Sequence, residues 1–190
     1  EPEDGEPRTG STIRFWPDPA IFDEISFRSQ TLTERLQMMA FLNAGLEIIF
    51  RDQRAGHGDN DVTFRYDGGI RDFVRHVNAS KEALFSDVGY FQQDESGDAG
   101  AMEVEIAFQW NTGYHTDGLH SFANGINTIE GGMHVEGFKK AFTNCLNRYA
   151  RDKGLLKESE EKLEGEDVRE GLAAVISVKL REPQFEGQTK

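Results

Sequence analysis

The chain has 190 residues, of which 34 are acidic and 21 are Lys or Arg, so its net charge is -13. This length predicts one domain with a sizeable core, and the single cysteine, Cys145, excludes a disulfide scaffold and suits a reducing, cytoplasmic location. No apolar run approaches the roughly 18 residues of a membrane span, and the acidic start is unlike a signal peptide. Taken as a whole, the negative charge disfavours binding to nucleic acid or anionic lipid.

The first half of the chain opens with an acidic stretch at residues 1–10, which is rich in Pro and Gly and is interpreted as a flexible linker. Apolar spacing, turn residues and Pro positions then predict alternating strands and helices. The predicted elements are a strand at 13–16 ended by Pro17, a helix through 32–42 with Gly45 as a C-cap, strands at 46–50 and 62–66 around a polar loop at 56–61, and a helix at 70–77.

The second half predicts more strands than helices. The predicted elements are strands at 88–91 and 102–110 around an acidic loop at 94–100, a strand at 119–123, the longest helix at 133–153, a charged segment at 157–170, a strand at 172–178 and an irregular tail at 183–190. Strand 102–110 alternates apolar and polar residues, which predicts one core face and one solvent face. Interspersed strands and helices favour an α+β or α/β sandwich of helices on a mixed sheet.

The residues that usually carry chemistry form no complete motif. His115 and His120 are five positions apart, which matches neither a helical metal pair nor a zinc finger, so no metal site is predicted. Cys145 lies on the apolar side of its predicted helix and is interpreted as a core residue. The glycine pairs at 68–69 and 131–132 precede helices and favour tight turns, although glycine before a helix can also hold a phosphate.

The long helix carries two different faces. One is an apolar stripe of Val135, Phe138, Phe142, Cys145 and Tyr149, and the other bears Lys140, Asn144, Asn147, Arg148 and Arg151. Residues 134–157 contain six Lys or Arg and two acidic residues, a local charge of +4 inside an acidic chain. This face is either solvated, with the cations favoured by the helix dipole, or a strip that meets phosphates.

Several segments, in order, resemble the B subunit of bacterial DNA gyrase in its second domain, the transducer. The resemblance covers residues 11–190. Its segments are Ile13-Arg14-Phe15-Trp16-Pro17-Asp18, Ala40-Phe41-Leu42-Asn43 with Gly45, Tyr66-Asp67-Gly68-Gly69-Ile70, Glu105-Ile106-Ala107-Phe108-Gln109-Trp110-Asn111, Phe122-Ala123-Asn124, Glu130-Gly131-Gly132 with His134, Asp167-Val168-Arg169-Glu170-Gly171-Leu172, Ser177-Val178-Lys179, and Phe185-Glu186-Gly187-Gln188-Thr189-Lys190.

The resemblance implies a fold as well as a place in a larger protein. The fold is α+β and like the second domain of ribosomal protein S-five, with a mixed β-sheet, helices packed on one face and a left-handed β-α-β crossover. That hand is opposite to the one that general rules predict. Residues 11–190 then form the transducer domain, after the linker at 1–10.

The resemblance also implies a function. In the family, ATP and Mg are bound mainly by a preceding ATPase domain, and the transducer contributes Gln188 and Lys190 to the γ-phosphate, with Lys190 in a catalytic role. ATP binding and hydrolysis are thereby coupled to DNA strand passage and negative supercoiling, and this chain alone is expected to be inactive. Lys139, Lys140, Arg148 and Arg151 are expected to line a cavity for the DNA segment in transit.

The partners that the resemblance implies are the chain's own upstream ATPase domain, a downstream DNA-cleavage domain, a second gyrase B protomer and the gyrase A subunit. No association with a membrane is expected. Met133 stands where the family usually has Thr, and the loops at 56–61 and 94–100 are of a kind that varies between members. Two alternatives remain open: the same domain of topoisomerase IV, and a non-enzymatic α+β interaction module with an acidic surface.

Overall fold

A computed structural model describes residues 13–54, 61–97, 100–114 and 118–185. The predicted linker, most of the loop at 56–61, and Gln188 and Lys190 lie outside these residues. The described elements are α1 (Ser29–Leu42), β1 (Ile48–Phe50), β2 (Val62–Phe64), α2 (Ile70–Val77), β3 (Gly89–Gly97), β4 (Gly100–Trp110), β5 (Leu119–Ala123), β6 (Ile126–Asn127), α3 (Met133–Asp152), α4 (Gly165–Arg169) and β7 (Leu172–Leu180).

The main sheet has five strands in the order β3-β4-β7-β5-β6. All its pairings are antiparallel except that of β5 with β7, which is parallel, so the predicted mixed sheet of an α+β fold is confirmed. The chain passes from β5 to β7 through β6, α3 and α4. This is the predicted β-α-β crossover, and its left hand stays a prediction.

Strand β7 forms the centre of the core. Every residue from Leu172 to Val178 is buried, as a continuous apolar run predicts for a strand covered on both faces. Ala173 and Val175 pack with α1 and α2, whereas Ala174 and Ile176 pack with Phe138 of α3. The prediction that helices pack on one face is therefore wrong, because β7 presents apolar side chains to both sides.

The neighbouring strand β4 is also covered on both faces. Ala107 and Gln109 lie on the face that alternation assigned to solvent, yet both are buried. This prediction is wrong because α2 lies over that face, where Ala107 joins a core cluster. Gln109 is satisfied internally: its side chain accepts a 2.9 Å hydrogen bond from Asn78 Nδ2 and donates a 2.8 Å bond to Phe85 O.

Helix α3 buries different faces in its two halves. Val135 and Phe138 are buried, as predicted, and Phe138 packs on β7. The predicted continuation of this stripe is wrong, because Cys145 is exposed and Tyr149 is 54% exposed. Asn147, predicted for the solvent face, is buried.

The reason is a change of neighbour along the helix. In the second half of α3, Asn147 contacts the segment that leads into α4. Asn147 Nδ2 donates to Leu163 O at 2.9 Å, and Leu163 N donates to Asn147 Oδ1 at 2.8 Å, so the amide holds this segment by two hydrogen bonds. A helical projection assumes that the same face is buried along the whole helix, so it does not predict that the buried face changes along α3.

The first described residues form no part of the main sheet. The predicted strand at 13–16 is wrong: Ile13, Phe15 and Trp16 are 87%, 68% and 77% exposed, and no described strand pairs with them. Among the described strands, β1 and β2 pair only with each other. The end of α1 joins the core through Phe41, which stacks on Phe73 of α2 with ring centroids 4.9 Å apart.

Local boundaries differ from the sequence predictions in three further places. The predicted loop at 94–100 belongs largely to the β3–β4 hairpin, whose paired residues reach Gly97 and Gly100. The charged segment at 157–170 contains α4, which begins at a reciprocal capping box between Glu164 and Asp167. The short strand β6 follows β5 through a two-residue turn and was not predicted.

Gly171 before β7 offers a test of the packing. Its φ is +68°, and a Cβ there would lie 2.7 Å from Gly113 O and closer still to Asn111 O. We expect Gly171→Ala to lower the free energy of unfolding by about 3 kcal/mol, through backbone strain and steric overlap. Gly125→Ala is the control, since its φ is +77° but its Cβ would meet nothing within 4 Å; it should cost about 1 kcal/mol. If denaturant unfolding gave the same loss of free energy of unfolding for both variants, the proposed steric overlap at Gly171 would be contradicted.

Candidate functional site

The end of β7 is the last described strand end before the predicted Gln188–Lys190 loop in the sequence. Leu180, its last residue, pairs with Met102 of β4 on one side. On the other side, its backbone N donates to Asn124 Oδ1 at 2.7 Å and its carbonyl accepts from Asn124 Nδ2 at 2.9 Å. Lys179 is ion-paired with Glu103 at 2.9 Å. The strand end is therefore anchored on both edges before the chain leaves the sheet.

A cavity of about 620 Å³ lies beside this strand end, lined among others by Asp94, Glu95, Glu103, Lys179 and Arg181. Three carboxylates face two cations, and one of those cations is paired with Glu103. This charge balance does not fit a triphosphate, which needs an excess of positive charge. The described residues of this cavity therefore provide no ATP site of their own.

A second cavity, of about 290 Å³, lies where β5, β6 and the start of α3 meet. His134 Nε2 lies 3.0 Å from Thr128 Oγ1, and that hydroxyl lies 2.6 Å from Ser121 Oγ. Burial lowers the pKa of His134 from its ordinary value of 6.5, so the neutral ring is favoured. The charged residues that line the cavity are Glu130, Glu136 and Lys139, and this excess of negative charge disfavours a phosphate at this helix start.

The glycines before α3 are explained by the turn that they make. Gly131 and Gly132 have φ values of +84° and +147°, in the region that favours glycine. Met133, the first residue of the helix, is 92% exposed. The pair therefore serves as the tight turn into a helix that the sequence favoured.

The basic face of α3 consists of Lys140, Arg148 and Arg151, all exposed. Together with Asn144 they are spaced by four, four and three residues, so at about 100° per residue they fall on one side of the helix. No ion pair joins these three cations to another described residue. Their charge is available for an external anion.

Lys139 differs from the other predicted cations. It is turned away from the basic face and pairs with Glu136 at 2.8 Å. The hydrogen bond from Lys139 lowers the pKa of Glu136, which keeps the carboxylate charged beside it. The structure thus brings three of the four predicted DNA-lining residues together and places the fourth in a local ion pair.

Among the helices that the structure describes, none combines the length and the apolarity that crossing a membrane requires. The described residues also contain no group of three or more His, Cys, Asp or Glu side chains arranged to hold a metal ion.

Sequence reasoning missed Asn124 as an anchor of β7, although the Asn-Gly pair at 124–125 is a hairpin-turn signal.

Comparison with known proteins identifies the family. A family model described as DNA gyrase B matches residues 69–190. The chain belongs to the DNA gyrase B family. The match covers the whole five-stranded sheet with α2, α3 and α4, which is the transducer region of that family.

Relatives place the chain within a longer protein. The DNA gyrase B subunit of Mycobacterium tuberculosis H37Rv is 47% identical over 212 residues, covering 96% of this chain and 31% of that protein. The corresponding gyrase B subunit of Streptomyces coelicolor is 47% identical over 197 residues, covering 96% and 28%. The chain thus spans about a third of the length of these gyrase B relatives.

Solved structures agree with the fold. The 43K ATPase domain of Thermus thermophilus gyrase B, in complex with an aminocoumarin, has a TM-score of 0.74 and 37% identity, covering 90% of this chain and 44% of that one. The ATP binding domain of Francisella tularensis topoisomerase IV has a TM-score of 0.66 and 26% identity, covering 93% and 45%. Gyrase B and topoisomerase IV therefore share this architecture.

Proposed function

We propose that this chain is the part of a gyrase B protein that couples ATP binding and hydrolysis in an upstream ATPase domain to DNA strand passage and negative supercoiling. The observation that carries the proposal is the family match, which continues past β7 to Lys190. The family assignment favours gyrase over an unrelated interaction module. Topoisomerase IV remains the second candidate, because its ATP binding domain has the same architecture.

In this proposal Gln188 and Lys190 reach the γ-phosphate of ATP held, with Mg, by the preceding domain. A Lys side chain is a compact point charge that can stabilise the negative charge of a transferring phosphoryl group. The same contact exists with ATP and not with ADP, so it supplies the differential affinity that a switch requires. Strand β7 supports this role, because its anchored end gives the loop a rigid origin.

The upstream ATPase domain is the proposed partner of the first described residues. Seven large apolar side chains between residues 13 and 27 are at least 45% exposed, and this segment precedes the family match. Contiguous exposed apolar surface is typical of an interface. These residues are Ile13, Phe15, Trp16, Ile21, Phe22, Ile25 and Phe27. We infer that the preceding domain covers them.

The basic face of α3 is the proposed contact for DNA in transit. Lys140, Arg148 and Arg151 are exposed and carry charge that no described carboxylate neutralises. Contacts to phosphates alone are independent of base sequence, which suits a duplex that must move on. Lys139 lies beside this face and is proposed to contribute less to DNA contact, because its charge is paired with Glu136. A downstream DNA-cleavage domain, a second gyrase B protomer and the gyrase A subunit complete the proposed assembly.

Nucleotide binding tests the proposal that ATP is bound mainly by the upstream domain and not by this chain. We expect the 190-residue chain alone to show no ATP binding by calorimetry, because its described cavities carry carboxylates and the proposed Lys190 contact needs a phosphate held from elsewhere. A protein extended upstream should bind and hydrolyse ATP. Tight ATP binding by the 190 residues alone would show that the ATP site lies within this chain and would contradict the proposal.

A further inference from the structure

Strand β5 ends two residues before its neighbour β7 does. In their parallel register, Ala123 lies opposite Val178, and β7 continues to Leu180 while the chain of β5 turns away at Asn124 and Gly125. Leu180 therefore has no backbone partner in β5. An unpaired strand end would be free to fray.

The side chain of Asn124 takes the place of the missing strand. Its Oδ1 accepts from Leu180 N at 2.7 Å and its Nδ2 donates to Leu180 O at 2.9 Å, so one amide satisfies both backbone groups. The Asn124 backbone N also donates to Val178 O at 2.8 Å. The side-chain amide thus extends the β5–β7 pairing by one residue.

The turn itself explains the residue type only in part. Asn124 and Gly125 have φ values of +49° and +77°, as a two-residue primed turn between β5 and β6 requires. Gly or Asp at position 124 would satisfy the same turn. The two hydrogen bonds to Leu180 are additional to that requirement and connect the turn to a different strand.

We propose that Asn124 is a positioning residue for the Gln188–Lys190 loop, acting through the backbone of Leu180. This inference rests on the function proposed above for Lys190. Beyond Leu180, no hydrogen bond joins residues 181–185 to another described residue, so the two bonds between Leu180 and Asn124 are the last hydrogen bonds along that described part of the chain.

The length of the following segment gives the anchor its effect. Ten residues separate Leu180 from Lys190, and each spans at most about 3.5 Å. If Leu180 frays, more residues lie between the last hydrogen-bonded residue and Lys190, and we expect Lys190 to be positioned less precisely at the phosphate. Misplacing a group that acts on a transferring phosphoryl lowers turnover more than it lowers binding of the rest of the nucleotide.

The test uses full-length gyrase B that contains this chain, assembled with its gyrase A partner. We expect Asn124→Gly, which keeps the turn and removes the amide with its two hydrogen bonds, to lower kcat for ATP hydrolysis about fivefold or more, since about fivefold corresponds to one net hydrogen bond. Affinity for ADP should not change. Asn124→Asp keeps the acceptor for Leu180 N and loses the donor to Leu180 O. Its kcat should therefore lie between that of the unmodified protein and that of Asn124→Gly.

A double variant shows whether the effect passes through Lys190. Adding Asn124→Gly to Lys190→Ala should lower kcat no further, because the loop would have no cation left to position. The control is Asn147→Ala, which removes a matching two-bond anchor at Leu163 and should lower the melting temperature with little change in kcat.

The outcomes separate the two proposals. Normal turnover of Lys190→Ala overturns the proposed function itself. A deficient Lys190→Ala together with a normal Asn124→Gly, or with an additive double variant, overturns only the role of Asn124. An equal kcat loss in Asn147→Ala would also overturn that role, because it would show that any lost anchor has the same effect.

Discussion

Replacing Lys190 with Ala in full-length gyrase B should lower the rate of ATP hydrolysis by about a hundredfold or more. Removing one group that stabilises developing charge in a closed site typically costs this much. Supercoiling should fall with it, because strand passage is proposed to follow the nucleotide cycle. Steady-state hydrolysis and gel-based supercoiling assays measure the two effects on the same preparation.

Two controls belong with this prediction. Lys190→Ala should leave the melting temperature unchanged, since the residue lies ten positions beyond the last described strand. Lys190→Arg keeps the charge but changes its geometry, so it should recover only part of the rate. A variant that hydrolyses ATP normally would remove Lys190 from the mechanism, whereas a variant that loses activity and stability together would give it a structural role.

Reversing the charge of the α3 basic face should impair supercoiling more than basal ATP hydrolysis. The double variant Lys140→Glu and Arg148→Glu replaces two exposed cations on one side of the helix and leaves the buried face intact. Repulsion of DNA phosphates should lower the supercoiling rate about tenfold or more at low salt, with a smaller effect at higher salt.

The matched control makes the same change in net charge elsewhere. Lys81→Glu with Lys162→Glu also reverses two exposed cations, and neither lies on α3. This control should supercoil normally. Equal losses of supercoiling and of hydrolysis in the α3 variant, or equal losses in variant and control, would contradict a DNA-lining face.

The sequence predicted well those helices and strands whose apolar pattern is set by packing against a single neighbouring element. Helix α2 and strand β5 begin and end at the predicted residues, and β7 was recognised from an apolar run that remains buried from Leu172 to Val178. The errors arise where a second neighbour intervenes. Ala107 is covered by helices that its strand pattern does not reveal, and Asn147 meets a segment that packs only on the second half of α3.

The candidate site was predicted unevenly for the same reason. A charge count along α3 was sufficient to find Lys140 and Arg148, because spacing decides which residues share a helix face. It could not separate Lys139, since pairing with Glu136 depends on side-chain geometry. Asn124 carries a turn signal in the sequence, but its bonds to Leu180 join residues 56 positions apart and become visible only in the folded chain.

The most direct test of the coupling role is the preference of full-length gyrase B for a non-hydrolysable ATP analogue over ADP, measured with and without Lys190. A switch requires a contact that only one nucleotide offers. We expect Lys190→Ala to lower affinity for the analogue and leave affinity for ADP unchanged, so that the preference is largely lost. An unchanged preference would show that this chain does not sense the γ-phosphate through Lys190, and would contradict the account.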